Sequence, residues 1–424
     1  MNEPLRIGYE GVAQLARALA AIAPASQHKL VQTFAARRNV LRRFESFQRT
    51  AGRPLLWMHA PSVGEGLQAR PVLELVRRRT PHTQLAYTYF SPSAARFAGT
   101  LDVDFRDVLP FDSFGDGRAA LRALDPTALV FSKLDVWPTL AREAAARGTR
   151  LGLISATLAK SSSRSRWLAA ALLREAYARL DLVGAISADD AQRLVGLGVS
   201  ADRVRVTGDT RYDQVWARAL SADPDSALLA PLHSERLTLV AGSTWPADER
   251  PLLDAWMRLR SRVSDARLVV APHEPTAGHL APIDRWCASA GFRCAHLGTD
   301  AASEADVIVV NRVGVLGELY ALADIAYVGG GFHSAGLHSV LEPAAFGVPV
   351  LFGPMHHGSR DAGLLLGAGG ALSASSAATL EAALERWLTD PDAIGAAGSA
   401  ARSVVQAGLG AAERSYELVA ELMR

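Results

Sequence analysis

The chain alternates short apolar runs with segments that have the apolar spacing of amphipathic helices. In the first half, apolar runs predict six strands, at residues 55–60, 84–89, 128–132, 151–155, 182–187 and 204–208. Helical patterns lie between them, for example over 67–79 and 137–147. Strands that alternate with helices at this spacing are typical of right-handed βαβ units around a parallel sheet.

The alternation stops once and then restarts. Residues 219–236 are rich in Pro, Ser and Asp and show no strand pattern, so they predict a linker. After them, strands are predicted at 237–243, 267–272, 306–310, 325–331 and 348–354, with helices from about residue 380. We therefore predict an α/β protein of two Rossmann-like domains, residues 1–218 and 237–424. Ligands of such sheets bind beyond the carboxyl ends of the strands.

Length and composition agree with two globular domains. The chain has 424 residues, which is too many for one ordinary core. Apolar residues make up 49% and charged residues 21%. The formal net charge is only +2, but the first fifty residues hold eight Lys or Arg against three Glu. This basic segment favours an anionic partner surface, and a solvated helix face explains it equally well.

The N-terminal segment also bears on the membrane. No apolar run reaches 18 residues, so no spanning helix is predicted, and the layout of a signal peptide is missing. Residues 11–24, followed by 29–44, could lie in a membrane interface with arginines on one side, or form an amphipathic helix packed on its own domain. The two cysteines, Cys287 and Cys294, indicate a reducing compartment.

The loop after the first predicted strand, "HAPSVGEG", offers the clearest candidate chemistry. It places Glu65 between Gly64 and Gly66 at the start of a helix. Flanking glycines let a backbone come close to a ligand, and a helix N-terminus favours anions. Glu65 is therefore either a general base or an acidic cap of the first helical turn.

Two later loops suit a nucleotide. "AGSTWPADE" ends a strand with Ser243 and Thr244, which suit a phosphate or an ordinary helix cap. "GGGFHSAGLHSVLEP" carries Glu342, which could accept hydrogen bonds from ribose hydroxyls or cap its helix, and His338, which could equally be structural. Adjacent His356 and His357 make a poor metal pair, and metal, P-loop, serine-elbow and nucleic-acid motifs are missing, so we predict metal-independent chemistry.

Taken in order, seven stretches resemble one family. They are "WMHAPSVGE", "TYFSPSA", "LPFDS", "VWP", "GSTWPADE", "GELYALADIAYVGGGF" and "HSVLEPAAFGVPVLFGP". They are similar to the 3-deoxy-D-manno-octulosonic acid (Kdo) transferases of lipid A and lipopolysaccharide biosynthesis, from about residue 35 to 400.

The resemblance implies a GT-B glycosyltransferase whose two domains face a central cleft. It also implies an inverting transfer of Kdo from the donor substrate CMP-Kdo to a lipid A precursor, lipid IVA, with no cofactor, metal or nucleic acid. The place would be the cytoplasmic face of the bacterial inner membrane, where the basic N-terminal segment would dock as a peripheral or monotopic anchor.

The resemblance also implies roles for individual residues. Glu65 would be the catalytic base that deprotonates the acceptor hydroxyl. The donor-binding residues would be Ser243, Thr244, His273, Gly317, Glu318, His338, Ser339 and Glu342. On the acceptor side or elsewhere in the site we expect Ser62, Gly64, Gly66, Ser91 and Arg211.

This sequence departs from the family pattern at several of these positions. Lys133 and Asp135 stand where the family usually has glutamates, and His273 stands where it usually has arginine. Ser339 replaces a usual asparagine and Arg211 a usual lysine. Two other functions therefore stay open, namely a GT-B transferase with another sugar nucleotide or acceptor, and a non-catalytic GT-B-like binding protein.

Overall fold

The structure, a computed structural model, describes residues 3–22, 28–159, 167–260, 262–263, 265–334 and 336–424. Within these ranges the strands of the first sheet are β1 (Leu55–His59), β2 (Gln84–Tyr89), β3 (Phe105–Val108), β4 (Ala128–Ser132), β5 (Arg150–Ala156), β6 (Leu182–Ala185) and β7 (Val204–Val206). Those of the second sheet are β8 (Leu237–Thr244), β9 (Ala266–Pro272), β10 (Cys294–His296), β11 (Val307–Val309), β12 (Ile325–Val328), β13 (Val350–Phe352) and β14 (Ala371–Ser373).

The α-helices of the same ranges follow in chain order. They are α1 (Glu3–Ile22), α2 (Lys29–Ala36), α3 (Val40–Glu45), α4 (Val63–Arg79), α5 (Ala95–Ala98), α6 (Phe114–Leu124), α7 (Pro138–Ala146), α8 (Trp167–Ala178), α9 (Ala188–Leu197), α10 (Arg211–Ser221), α11 (Pro246–Leu259), α12 (Ala277–Ala290), α13 (Leu316–Leu319), α14 (Leu341–Ala345), α15 (Arg360–Ala368), α16 (Ala377–Thr389), α17 (Pro391–Ala407) and α18 (Ala411–Leu422). No helix among them is both long enough and apolar enough to cross a membrane.

Both sheets are parallel and have seven strands. The strand orders are β3-β2-β1-β4-β5-β6-β7 and β10-β11-β9-β8-β12-β13-β14. The predicted α/β class is thus confirmed, and each of the eleven predicted strands overlaps an observed one. The apolar pattern missed β3, β10 and β14.

Burial on both faces explains the continuous apolar runs. Along β1, Leu55 and Trp57 pack into one core cluster, while Leu56 and Met58 pack into the cluster on the opposite face. All five residues of β1 are buried. Helices must therefore cover both faces of the sheet, as is usual for parallel sheets.

The contacts divide the chain into two compact units. The first comprises residues 1–214 together with 409–424, and the second comprises 215–408. The chain leaves the first unit within α10 and returns to it for α18. These boundaries differ from the predicted ones, because 219–236 lies inside the second unit, where Leu229 and Leu232 are buried in a core cluster.

Each sheet has a point at which the chain changes its direction of winding. In the first sheet, β1 and β4 are neighbours there, and in the second sheet β8 and β12 are neighbours. The loops that follow these strands diverge and leave a crevice at the carboxyl ends, where α/β proteins bind ligands. The candidate loops of the sequence follow β1, β8 and β12.

Candidate active site

Glu65 lies next to the place in the first sheet where the direction of winding changes, between β1 and β4. We call this place the switch point. The loop after β1 ends at Ser62, and α4 begins with Val63. Buried residues of α4, among them Ala69 and Val72, pack against the sheet and fix the helix start at the carboxyl edge. Glu65 is thereby held in the first turn of α4.

The Glu65 carboxylate is bound on both oxygens. Oε1 accepts a hydrogen bond from Lys133 Nζ at 3.0 Å, and Oε2 accepts one from the Ser62 hydroxyl. Lys133 comes directly after β4, so this ion pair bridges the two strands of the switch point. The Glu65 backbone carbonyl accepts from Ser132 Oγ at 3.0 Å, which ties the same two loops together.

These contacts decide the charge of Glu65. Burial alone would raise the pKa of the carboxyl group, but the Ser62 hydrogen bond and the Lys133 charge outweigh it and lower the pKa below its ordinary value. Glu65 is therefore ionised at neutral pH. Its side chain is 16% exposed, so solvent and a substrate hydroxyl retain access to it.

The alternative of a helix cap is only partly met. Ser62 is the N-cap of α4, but its side chain accepts no backbone hydrogen bond there and donates to Glu65 instead. The carboxylate still gains from the positive end of the helix. Its hydrogen bonds with the Ser62 and Lys133 side chains nevertheless give it partners other than the helix amides.

The two glycines beside Glu65 have different surroundings. A Cβ on Gly64 would meet only Ser62 Oγ, at 3.8 Å, so this side is open. A Cβ on Gly66 would lie 2.7 Å from the Tyr87 hydroxyl oxygen and would also collide with Phe97. Gly66 therefore allows α4 to pack closely on β2, and only Gly64 leaves room for a ligand.

Ser91 and Arg211 are attached to the Glu65 region through other residues. The Ser91 amide donates to Pro61 O at 2.9 Å, beside the Glu65 loop. Arg211 starts α10 and pairs with Asp209 at 2.7 Å. Asp209 in turn accepts from Gln68 of α4 at 3.2 Å, one turn after Glu65.

In the second unit, Asp248 organises the loops that follow β8 and β12. Its carboxylate accepts from the backbone amides of Trp245 (3.0 Å), Gly330 (2.8 Å) and Phe332 (2.9 Å), and from the Tyr327 hydroxyl (3.1 Å). These hydrogen bonds connect the glycine-rich loop after β12, which includes Gly330 and Phe332, to the start of α11.

Ser243 and Thr244 end β8 beside these contacts. Ser243 has a left-handed backbone with φ 53°, and its carbonyl lies against Gly329, which has no room for a Cβ. The Thr244 hydroxyl donates to Glu249 Oε1 at 2.8 Å and is buried.

Four aromatic rings, which we call the ring stack, cluster at the same edge. The Trp245 ring stacks on His333 with ring centroids 4.5 Å apart and lies 4.7 Å from the tilted ring of His273, and His273 stacks on His338 at 4.5 Å. Trp245 Nε1 donates to His338 Nε2 at 3.2 Å, so the proton of neutral His338 is on Nδ1. Burial, and then the neighbouring His273, lowers the pKa of His338.

Two of the remaining predicted donor residues, Glu342 and Gly317, lie beside Arg218. Glu342 lies 3.8 Å from Arg218, and Gly317 packs against the same side chain. Burial raises the pKa of Glu342, and the charge of Arg218 opposes this. Glu318 and Ser339 are exposed.

Several residues of these sites were missed by the sequence patterns. Trp245, His333, Asp248 and Arg218 were not singled out, and Lys133 was noted only as a departure from the family. Lys133 had a usable signal, because it directly follows a central strand. Arg218 had none, because it lies within an ordinary amphipathic helix.

A metal site does not emerge from the described ranges, in which no group of three or more His, Cys, Asp or Glu side chains could hold an ion. Adjacent His356 and His357 lie with ring centroids 4.6 Å apart and do not change this.

Comparison with known sequences points to one family. The family model described as 3-deoxy-D-manno-octulosonic-acid transferase (kdotransferase) matches residues 38–214. The 3-deoxy-D-manno-octulosonic acid transferase of Bordetella pertussis is 30% identical over 377 residues, covering 85% of this chain and 86% of the relative. That of Haemophilus influenzae is 25% identical over 370 residues, covering 86% of each chain.

Solved structures resemble the fold at lower sequence identity. The UDP-GlcNAc 2-epimerase of Neisseria meningitidis bound to UDP-GlcNAc matches with a TM-score of 0.62 at 14% identity, covering 87% of this chain and 99% of that chain. A glycosyltransferase from Rickettsia africae matches with a TM-score of 0.59 at 12% identity, covering 88% and 99%. Together with the two parallel sheets, these likenesses show the GT-B fold.

Proposed function

We propose, on the premise that this chain belongs to the 3-deoxy-D-manno-octulosonic acid (Kdo) transferase family of glycosyltransferases, that it moves Kdo from CMP-Kdo to a lipid A precursor, lipid IVA. The transfer inverts the anomeric carbon and needs no metal ion. The observation that carries the proposal is the ionised, partly exposed Glu65 at the switch point of the first sheet.

Glu65 acts as the general base in this proposal. The acceptor hydroxyl approaches the open side at Gly64 and gives its proton to the carboxylate while its oxygen attacks the anomeric carbon of Kdo. The bond to the phosphate oxygen breaks, and its electron pair leaves with CMP. Lys133 keeps the carboxylate ionised and oriented before the attack.

The second unit would hold CMP-Kdo at the edge formed by β8 and β12. The phosphate that leaves gains negative charge and needs N–H donors or cations. His273 and His338 of the ring stack are the groups that support this role. Glu342, next to Arg218, is the candidate partner for ribose hydroxyls.

Transfer from CMP-Kdo to lipid IVA, followed by mass spectrometry, tests the proposal. We expect Glu65→Gln to lower kcat by about 100-fold or more, because general bases contribute about that much. Glu74→Gln is the matched control, since Glu74 is exposed on the same helix. Unchanged turnover in Glu65→Gln would remove Glu65 from the mechanism, and an inactive wild type would remove the function.

The outer face of α1 supports an anionic membrane as partner. The Tyr9 hydroxyl donates to Asp112 at 2.7 Å, and Glu10 and Arg17 also bind the body of the first unit. The polar face of the helix is therefore docked. Its apolar stripe points outwards, with exposures of 65% at Ile7, 69% at Val12, 61% at Leu15 and 44% at Leu19. A helix that docks in this sense can insert its apolar face among lipids.

A second candidate is a transferase with another sugar nucleotide, and the ring stack around Trp245 favours it because the His273 imidazole stands where the family usually has arginine. Thermal-shift measurements with CMP, UDP and GDP separate the two. A ligand at a hundred times its Kd stabilises by about 2.7 kcal/mol. Stabilisation by CMP alone supports the first candidate, whereas stabilisation by no nucleotide indicates a non-catalytic binding protein.

A further inference from the structure

Arg37 is a buried cation without a carboxylate partner in the part of the chain that the structure describes. It is 3% exposed and directly follows α2. Its guanidinium donates only to two backbone carbonyls, Thr33 O at 2.7 Å and Phe90 O at 3.2 Å, and its Nε has no acceptor among the described residues. The negative charge of Asp107 acts to raise the pKa of Arg37, but Asp107 already pairs with Arg43 at 2.9 Å.

An unpaired buried charge is costly, so proteins pair it or supply a ligand. Burial lowers the pKa of Arg37 to about 10, which leaves it charged at neutral pH. Its position is therefore suited to an anion that the chain itself does not provide.

The surroundings of Arg37 form a basic cavity, which we call the arginine cavity. It has a volume of about 460 Å³ and is lined by Arg17, Arg37, Arg38 and Arg42 together with Phe111 and Asp116. Asp116 is engaged by Arg17 at 3.2 Å. Three of the four arginines thus remain as an excess of positive charge around one space.

Phe90, which contacts Arg37, lines an apolar groove of about 310 Å³. Its lining includes Phe90, Leu134, Trp137, Leu172 and Leu173, with Asp135 and Tyr9 as polar members. The Arg37 guanidinium stands 4.3 Å from the centroid of the Phe90 ring, and the Trp137 ring stacks on Phe90 with the centroids 5.2 Å apart. The cavity and the groove are therefore adjacent, because Arg37 of the cavity contacts Phe90 of the groove.

Both flanks of the groove are connected to the Glu65 region. The Phe90 amide donates to Pro61 O at 3.0 Å, in the loop that leads to Glu65. Leu134 follows Lys133, which pairs with Glu65. The groove therefore borders the two loops that carry Glu65 and Lys133.

We infer that the arginine cavity and the apolar groove together form one acceptor site, in which the cavity binds a phosphate of the lipid acceptor and the groove holds one of its acyl chains. The inference rests on the proposed function, because it takes the acceptor to be an anionic acylated saccharide. A free phosphate would fill only the cavity, and a neutral lipid only the groove. Adjacent basic and apolar spaces match a molecule that carries both groups.

Direct binding to the full-length protein in detergent micelles tests the site without turnover. The probes are lipid IVA, lipid IVA without its phosphates, and the fully deacylated bisphosphorylated disaccharide. We expect Arg37→Gln and Arg42→Gln to weaken lipid IVA binding about tenfold or more and to leave the phosphate-free probe unchanged, since charged hydrogen bonds contribute on that scale. Arg42 is exposed, so its variant carries the test if Arg37→Gln does not fold.

The groove is tested by filling it with Leu173→Trp. We expect about tenfold weaker binding of both acylated probes and no change for the deacylated one, because each methylene removed from water contributes about fourfold. Arg122→Gln and Leu220→Trp, both exposed outside the cavity and groove, are the matched controls.

The outcomes separate the site from the proposed function. Selective losses of binding with an inactive wild type would keep the site and overturn the transfer reaction. Active transfer with equal binding of all variants would overturn the site and keep the reaction. A loss that is equal for all three probes would show that the variants only disturb the fold, and would also overturn the site.

Discussion

Lys133 is an unusual choice of residue at its position. Only three of the 45 basic residues of the chain are lysines, and one of them is at the switch point beside Glu65. Its backbone is left-handed, with φ 70°, which is unfavourable for a residue with a Cβ. Its amide donates to Ile154 O at 2.8 Å, so the surrounding strands hold this conformation. The side chain is thereby aimed at the Glu65 carboxylate.

Replacing Lys133 should shift the pH dependence of turnover. In Lys133→Met, burial of Glu65 acts without the opposing ammonium charge, so the pKa of Glu65 rises. Since the base must be ionised, the acid limb of kcat/KM moves to higher pH. Measuring kcat/KM from pH 4 to 8 for the wild type, for Lys133→Met and for the exposed control Arg122→Met checks this. An acid limb that stays in place would show that Lys133 does not control the charge of Glu65.

The same pair affects stability with a definite sign. The pKa of Glu65 is lower in the folded than in the unfolded protein, so its contribution is present above the unfolded pKa. It is lost as the pH falls through the folded pKa.

At the scale of elements, the apolar pattern of the sequence predicts strands best where both faces of the strand are buried. Central strands such as β1 and β9 are buried on both faces and read as continuous apolar runs. The missed strands β3, β10 and β14 are all at sheet edges. They have three or four residues, and β3 begins with partly exposed Phe105 and exposed Arg106, so no apolar run marks them.

The candidate site was also predictable only in part. Loops after central strands can be found from the sequence, because the strands before them can. The pairings within those loops cannot, since Glu65 and Lys133 are 68 positions apart and Trp245 and His338 are 93 apart. No periodicity connects residues at such separations, and only the parallel sheet order makes them neighbours.

Asp248 should be critical for the loops of the second unit. Each of its carboxylate oxygens accepts two hydrogen bonds, with Oδ2 facing the Gly330 and Trp245 amides. In Asp248→Asn one oxygen becomes an NH₂ group that faces two donors. We expect a loss of about 3 kcal/mol and a Tm lower by about 5–10 °C, measured by calorimetry. Asp254→Asn, exposed on the same helix, should stay within about 0.5 kcal/mol, and equal Tm values for both variants would contradict the role.

At the scale of the whole chain, the last helix completes the first unit. Leu418 and Leu422 of α18 share a core cluster with Leu56 and Met58 of β1, although most of the residues between them in sequence form the second unit. Folding of the first unit therefore requires both ends of the chain.

A substitution in α18 should consequently destabilise the first unit. Leu418 is 1% exposed, so Leu418→Ala is expected to cost about 2–5 kcal/mol. Hydrogen exchange should speed up in β1 and α4 and stay unchanged in β8 and β9. Glu417→Ala, exposed on the neighbouring position, is the control. Faster exchange confined to residues 215–408 would show that α18 supports the second unit instead.

The outward apolar stripe of α1 is the part of the molecule that we expect to insert into a bilayer. Val12 and Leu15 are 69% and 61% exposed, so Val12→Asp with Leu15→Asp leaves the docked face intact and opposes insertion. We expect the double variant to lose most of its co-sedimentation with anionic liposomes, while Val313→Asp, at an equally exposed apolar residue (65%) of the second unit, binds normally. Raising the salt from 0.1 to 1 M shortens the screening length from about 10 to about 3 Å, and should weaken the arginine contribution while part of the binding persists. Complete release by salt would mean that arginines alone bind the surface, and equal binding of all three proteins would mean that α1 does not contact lipid.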